Sequence, residues 1–138
     1  MSLVNECIPN YDSGEDLTGF CEAAVTGKRF VAISDPKKVA SQALSTGVDG
    51  GNIVVSPCGA AAKAIGVAGY DAAINTLVPV IRGHKVVPMT SGAAVTAGVE
   101  VESDSTGRAI TLAAGKALGV ALTTAGAADV DILVALDL

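Results

Sequence analysis

Two Gly-Lys pairs, Gly27-Lys28 and Gly115-Lys116, carry the first chemistry to test in this sequence, because a phosphate-binding loop ends in that dipeptide. Such a loop needs G-x-x-x-x-G-K-[ST]: the leading glycine lets backbone N–H groups wrap the phosphates, and the hydroxyl holds magnesium. Around Gly115-Lys116 those two places are taken by Ile110 and Ala117, and around Gly27-Lys28 by Glu22 and Arg29. Neither pair can work as a phosphate loop. The stretch Glu102 to Gly107 imitates the start of a calcium loop, with Glu102, Asp104 and Thr106 at alternate positions and glycine sixth, but the twelfth position, which needs a bidentate Glu, is Ala113. A hydrated hairpin turn is the reading these residues support.

Glu100 and Glu102 sit two apart, which would put paired carboxylates on one strand face for acid–base work. Their alternation with Val99 and Val101 predicts a solvated face instead. Cys7, Cys21 and Cys58 are an odd number without C-x-x-C spacing, so they read as small buried thiols rather than a disulfide framework or zinc site. His84 is the sole histidine, which excludes a His-rich metal site; it reads as a strand-end residue. Lys85, in Gly83-His84-Lys85-Val86-Val87, stands where a biotinyl-type hairpin would carry its modified lysine, but lacks the flanking residues. No catalytic, cofactor-binding or metal-ligating residue is assigned, and no cofactor is expected.

The elements that would hold such residues must be built from small side chains. Half of the 138 residues are hydrophobic, yet aromatics are 3% and Trp is absent. An Ala- and Val-rich core buries less area per residue than an aromatic one, so association with identical or different partners would add burial. The net charge of -5 and the scattered Lys and Arg argue against a nucleic-acid partner. The longest uncharged run, Val86 to Val99, is broken by Pro88 and Gly92 and is too short to span a bilayer, so no membrane partner is expected. The first residues are acidic with no apolar run behind them, unlike a signal peptide, which points to synthesis in a cytoplasm.

Residues 1–20 show no sustained period and read as an extended N-terminal arm. Its spaced apolar residues Leu3, Val4, Ile8, Tyr11 and Phe20 are candidates for docking on a neighbour. Residues 21–138 read as a single β domain. Asp35, Pro36 and Gly47 punctuate at most one short helix. Elsewhere short β runs recur, bounded by Gly, Pro, Asn or Asp, and this spacing argues for a mainly β fold: a small antiparallel β-barrel or tulip-like sandwich. The chain also echoes itself. Lys63-Ala64-Ile65-Gly66-Val67-Ala68 aligns with Lys116-Ala117-Leu118-Gly119-Val120-Ala121, and both lie between a valine-rich strand and a closing strand. This internal pseudo-repeat predicts two similar β units inside one barrel, with Lys63 and Lys116 at strand entrances and Gly66 and Gly119 allowing a bend or a close backbone approach.

From about residue 50 to the end, the pattern resembles the capsid cement, or head decoration, proteins of tailed bacteriophages. The residues that carry the likeness are Ala97-Gly98-Val99-Glu100-Val101, then Asp104 to Ala109, Ala114 to Ala121, and the aliphatic closing strand Asp129 to Leu136. The resemblance implies a structural virion protein that binds the outer surface of an assembled capsid and stabilises the shell without chemistry. Its implied partner is the major capsid protein, and its implied state is a homo-oligomer, a trimer, or copies tiled over the lattice. The family has no catalytic residues to carry over. The rival reading is a virion tail or surface adhesion module binding a host glycan, against which the sparse aromatics count, since sugar faces stack on Trp or Tyr.

Overall fold

The structure, a computed structural model, describes residues 4–7, 16–34 and 53–138. Ten strands occur among the described residues: β1 (Leu17–Cys21), β2 (Phe30–Ile33), β3 (Ile53–Pro57), β4 (Gly66–Ala68), β5 (Leu77–Ile81), β6 (Val86–Thr90), β7 (Glu100–Ser103), β8 (Ala109–Thr111), β9 (Gly119–Ala121) and β10 (Asp131–Leu136). No helix occurs among the described residues, and the short helix expected near residues 35–47 falls almost wholly outside them. The mainly β fold expected from the short bounded runs is what forms. Leu17 to Phe20, read as the end of an arm, are instead the first four residues of β1, because they pair with β5 from Leu17↔Val80 to Phe20↔Leu77.

The strands form two sheets. β1-β3-β2-β4-β5 closes into a barrel, and β6-β10-β9-β7-β8 makes a second five-stranded sheet. All pairings between strands are antiparallel except β1 with β3, which runs parallel through Gly19↔Ile53 to Cys21↔Val55. In the second sheet a lone parallel bridge, Ser91↔Ala109, joins the end of β6 to the start of β8, the place that the β1–β3 pairing fills in the first.

The internal repeat is therefore larger than its sequence echo, and it is divided differently. Each strand of the first sheet has its counterpart, in order, in the second: β1 with β6, β2 with β7, β3 with β8, β4 with β9 and β5 with β10. The backbone hydrogen bonds repeat with them. Val25 and Ala72 exchange N–H···O bonds, as do Val95 and Ala125; Lys28 N–H reaches Ala68 O as Gly98 N–H reaches Ala121 O; Asn75 N–H reaches Cys21 O as Asp129 N–H reaches Ser91 O. The two echo strands do not share one barrel, as the sequence suggested. β4 belongs to the closed barrel and β9 to the other sheet. A strand triplet cannot distinguish these arrangements; the pairing of its partners, tens of residues away, decides them.

Gly66 and Gly119 do the same work in both sheets. A Cβ on Gly66 would lie 2.6 Å from the carbonyl oxygen of Ile81 in β5, and a Cβ on Gly119 would fall on the carbonyl oxygen of Ala135 in β10. Close backbone approach, one of the two roles expected of these glycines, demands glycine at both positions. The core is likewise divided. Cys21, Val25, Val31, Val55, Ala68, Val78 and Val80 fill the first barrel. Phe30, Val67 and Ile81, which alternate with Val31, Ala68 and Val80 on the same strands, leave that interior and join the larger cluster with Met89, Val101, Leu118, Ile132 and Val134 of the second sheet. Alternation along a strand thus supplies one face to each core, and one continuous apolar cluster ties the halves together.

Candidate functional site

The thiols can be decided first. Cys7, Cys21 and Cys58 are free and buried. Burial pushes the Cys7 thiol up to about 12 against the opposing pull of the Lys28 ammonium, and its Sγ donates to Pro88 O at 3.3 Å. Burial raises Cys21 and Cys58 as well. A nucleophilic cysteine needs the opposite shift, toward thiolate at neutral pH, so these are packing residues. His84 lies at the surface, with Nδ1 3.7 Å from Asp137. No cluster of three or more His, Cys, Asp or Glu side chains spaced for a metal occurs among the described residues.

The carboxylates part company. Glu100 is exposed, as alternation predicted, but Glu102 is only 5% exposed and accepts a hydrogen bond from the Gly115 backbone N–H at 2.6 Å. The solvated-face reading therefore fails at Glu102, because the 115 loop folds over it and satisfies its charge. Asp104 closes the β7–β8 hairpin. Its Oδ1 accepts from Thr106 N, Thr106 Oγ1 and Arg108 N at 2.8–3.0 Å, and its Oδ2 from Arg108 Nε at 2.8 Å. Burial alone would raise this carboxyl, but the four bonds outweigh it and hold it below the usual carboxylate range. The carboxylate a calcium ion would want is thus spent on the turn itself. Arg108 also reaches Asp129 at 2.9 Å, pinning the hairpin to the loop before β10. Gly107 completes the turn at φ 87°, and a Cβ there would strike Phe30 O.

Lys85 is buried, and its ammonium pairs with Asp16, so it is no exposed hairpin lysine. A charge pair with one end fully buried fixes the strand that follows to the residue preceding β1.

Of the five apolar residues proposed for docking on a neighbour, Leu3, Ile8 and Tyr11 lie outside the described residues. Val4 is 55% exposed, and its carbonyl accepts from Asp71 N–H, which seats residues 4–7 on the first sheet. Phe20 is 5% exposed and packs with Val54, so it is a core side chain and presents no surface to a partner.

Sequence reasoning missed one feature that the echo itself could have signalled. Lys63 and Lys116, counterparts in the two halves, line one cleft of about 450 Å³ together with Arg82 and Asp137, over Ile65 and Leu118. Among the described residues, the side chains of Lys63, Arg82 and Lys116 hold no ion pair. Equivalent positions in a duplicated chain can converge when the halves pack together, and the aligned lysines are the sequence trace of that.

Set beside known proteins, residues 13–136 match the family model described as phage cement protein. No curated protein matches the chain in sequence. Among solved structures, the head fiber gp8.5 N base in bacteriophage phi29 is similar in fold, with a TM-score of 0.67 over 88% of this chain and 92% of that one, at 17% identity.

Proposed function

The chain belongs to the phage cement protein family, and we propose that it binds the outer surface of an assembled phage capsid and stabilises the shell. Membership of a structural phage family already makes it a capsid-associated protein of the virion; the family match, spanning nearly the whole chain, is the observation that carries the further step. The chemistry agrees with it. The thiols are shifted away from reactivity, the Asp104 carboxylate is spent on a turn, and Lys85, the buried lysine among the described residues, is paired. The partner is the major capsid protein, and the protein acts as a trimer or as copies tiled over the lattice.

Cementing of this kind works by non-covalent contact, without chemistry. A specific contact needs roughly 1,000 Å² of buried surface, and each copy that bridges subunits adds its binding free energy to the barrier for shell opening. The exposed Val4 and Leu17, at the start of the chain, suit such a contact. Bare capsids mixed with the purified protein and imaged by cryo-EM test the proposal. Added density on the outer face, with a higher temperature of DNA release, is expected. Clean shells at saturating protein would refute it, and binding to host cells without binding to shells would favour the adhesion reading instead.

A further inference from the structure

The reading of the chain as a capsid-binding protein leaves open which surface meets the shell and what it recognises. Resting on that reading, we propose that the cleft between residues 63–65 and 116–118 takes an acidic peptide segment of the capsid subunit. The protein carries a net charge of -5, yet three of its nine Lys and Arg side chains gather here. Lys28, Lys85 and Arg108 each hold a carboxylate of their own chain. Lys63, Arg82 and Lys116 hold none among the described residues, and Asp137, which lines the cleft together with Leu138, lies beside His84. The cleft is thus a positive spot on a negative molecule, and a fixed patch of that kind orients an approaching partner.

The form of the cleft selects the ligand. A single compact phosphate is gripped best by an arginine fork or by converging backbone N–H groups, while lysine meets phosphate and carboxylate alike as a point charge. Here two lysines, one from each half, line the cleft with one arginine, and lysine ammonium groups are hydrated point charges without a fixed fork. Separate carboxylates along an extended chain can each meet one of these cations. Ile65, a half-buried lining residue, offers apolar surface to the aliphatic stems of such side chains.

Fluorescence anisotropy of a fluorescein-labelled hexaglutamate peptide titrated with the full chain tests the cleft directly. The double variant Lys63→Glu/Lys116→Glu is compared with Lys37→Glu/Lys38→Glu, which changes net charge equally. Wild type should bind in a salt-sensitive manner, the first variant should bind at least about tenfold more weakly, and the second should stay within about threefold of wild type. Urea midpoints confirm that both variants fold. Absence of peptide binding, equal losses in the two variants, or displacement of the peptide by pyrophosphate at lower concentration than by unlabelled hexaglutamate would each overturn the inference.

Co-sedimentation with bare capsids separates it from the broader reading. If wild type binds shells and Lys63→Glu/Lys116→Glu binds them equally well, the cleft is not the contact and cementing stands. If wild type fails to bind shells at all, the capsid reading falls and the proposed owner of the peptide falls with it. A tenfold loss of shell binding confined to the cleft variant supports the inference.

Discussion

Phe30 begins β2 and Glu100 begins β7, at the same place in the two halves, yet Phe30 is buried among residues of the second sheet and Glu100 stands in water. The next positions of that outward face follow suit. Val67 and Ile81 are buried in the shared cluster, whereas their counterparts Val120 and Ala135 are half-buried. One backbone plan thus serves two purposes. The first half uses its outer face to dock on the second; the second half ends the stack with a charge and smaller apolar residues. Repeat proteins end their arrays in the same way, with a polar face on the last unit.

The largest expected effect lies at that pair. Phe30→Ala should cost about 3–5 kcal/mol, as removal of a fully buried aromatic does, while Glu100→Ala should change stability by less than about 0.5 kcal/mol. Urea denaturation measures both. Equal losses would mean that the halves do not differ in the way their packing implies.

Where the halves agree, equal costs are expected. Gly66→Ala and Gly119→Ala each drive a methyl group into a carbonyl oxygen of the neighbouring strand, for about 1–3 kcal/mol apiece. A large inequality between them, read from the same urea midpoints, would show that one sheet yields where the other cannot. The β7–β8 hairpin comes next in size. Asp104→Ala should cost about 1–2 kcal/mol near neutral pH, since it strands the N–H groups of Thr106 and Arg108. The sign with pH follows from the lowered pKa of this carboxyl. Its stabilisation is fully present above the unfolded value, about 3.9, and is lost as pH falls through the lower folded value. The gap between wild type and Asp104→Ala should therefore shrink in strong acid, and a gap unchanged from pH 6 to pH 2 would contradict it.

How far the sequence announced this design depends on the range of the interaction. Strands bounded by Gly, Pro, Asn and Asp are local events, and IVVSP at 53–57 becomes β3 without adjustment. The echo around Gly66 and Gly119 was legible for the same reason. Its true extent was also written in the chain, since Ala23-Ala24-Val25-Thr26 recurs as Ala93-Ala94-Val95-Thr96, and Val25 and Val95 make equivalent bridges. The alternation beside those tetrapeptides hides the match, because Phe30 answers to the other half and Glu100 to solvent. Charged side chains misled for a related reason. Glu102 looks solvated in a window of ten residues, and nothing near Lys85 announces its burial, but the groups that satisfy them, Gly115 N–H and Asp16, come from distant parts of the chain. The cleft needed both halves placed before its lysines could meet.

The smallest difference between the halves is the most exacting test of their equivalence. Lys28 and Gly98 occupy matching turns, both with positive φ, at 62° and 93°. A lysine there carries about 1–2 kcal/mol of left-handed strain, and a bond of 2.7 Å from its Nζ to Asp131, across the two sheets, offsets part of it. Asp131 is half exposed, so the pair contributes about 0–1 kcal/mol and is screened by salt. Lys28→Gly relieves the strain, loses the pair and adds about 0.5–1 kcal/mol of chain entropy to the cost of folding. These terms nearly cancel, and the variant should stay within about 1 kcal/mol of wild type at low salt. Raising salt to 1 M weakens the pair in wild type alone, so the balance should move toward the glycine variant. Gly98→Lys acquires the strain and should lose about 1 kcal/mol at any salt concentration. Denaturation midpoints of the two variants at both salt concentrations decide the matter: if Lys28→Gly loses ground as salt rises, the turn is held by something other than its ion pair with Asp131.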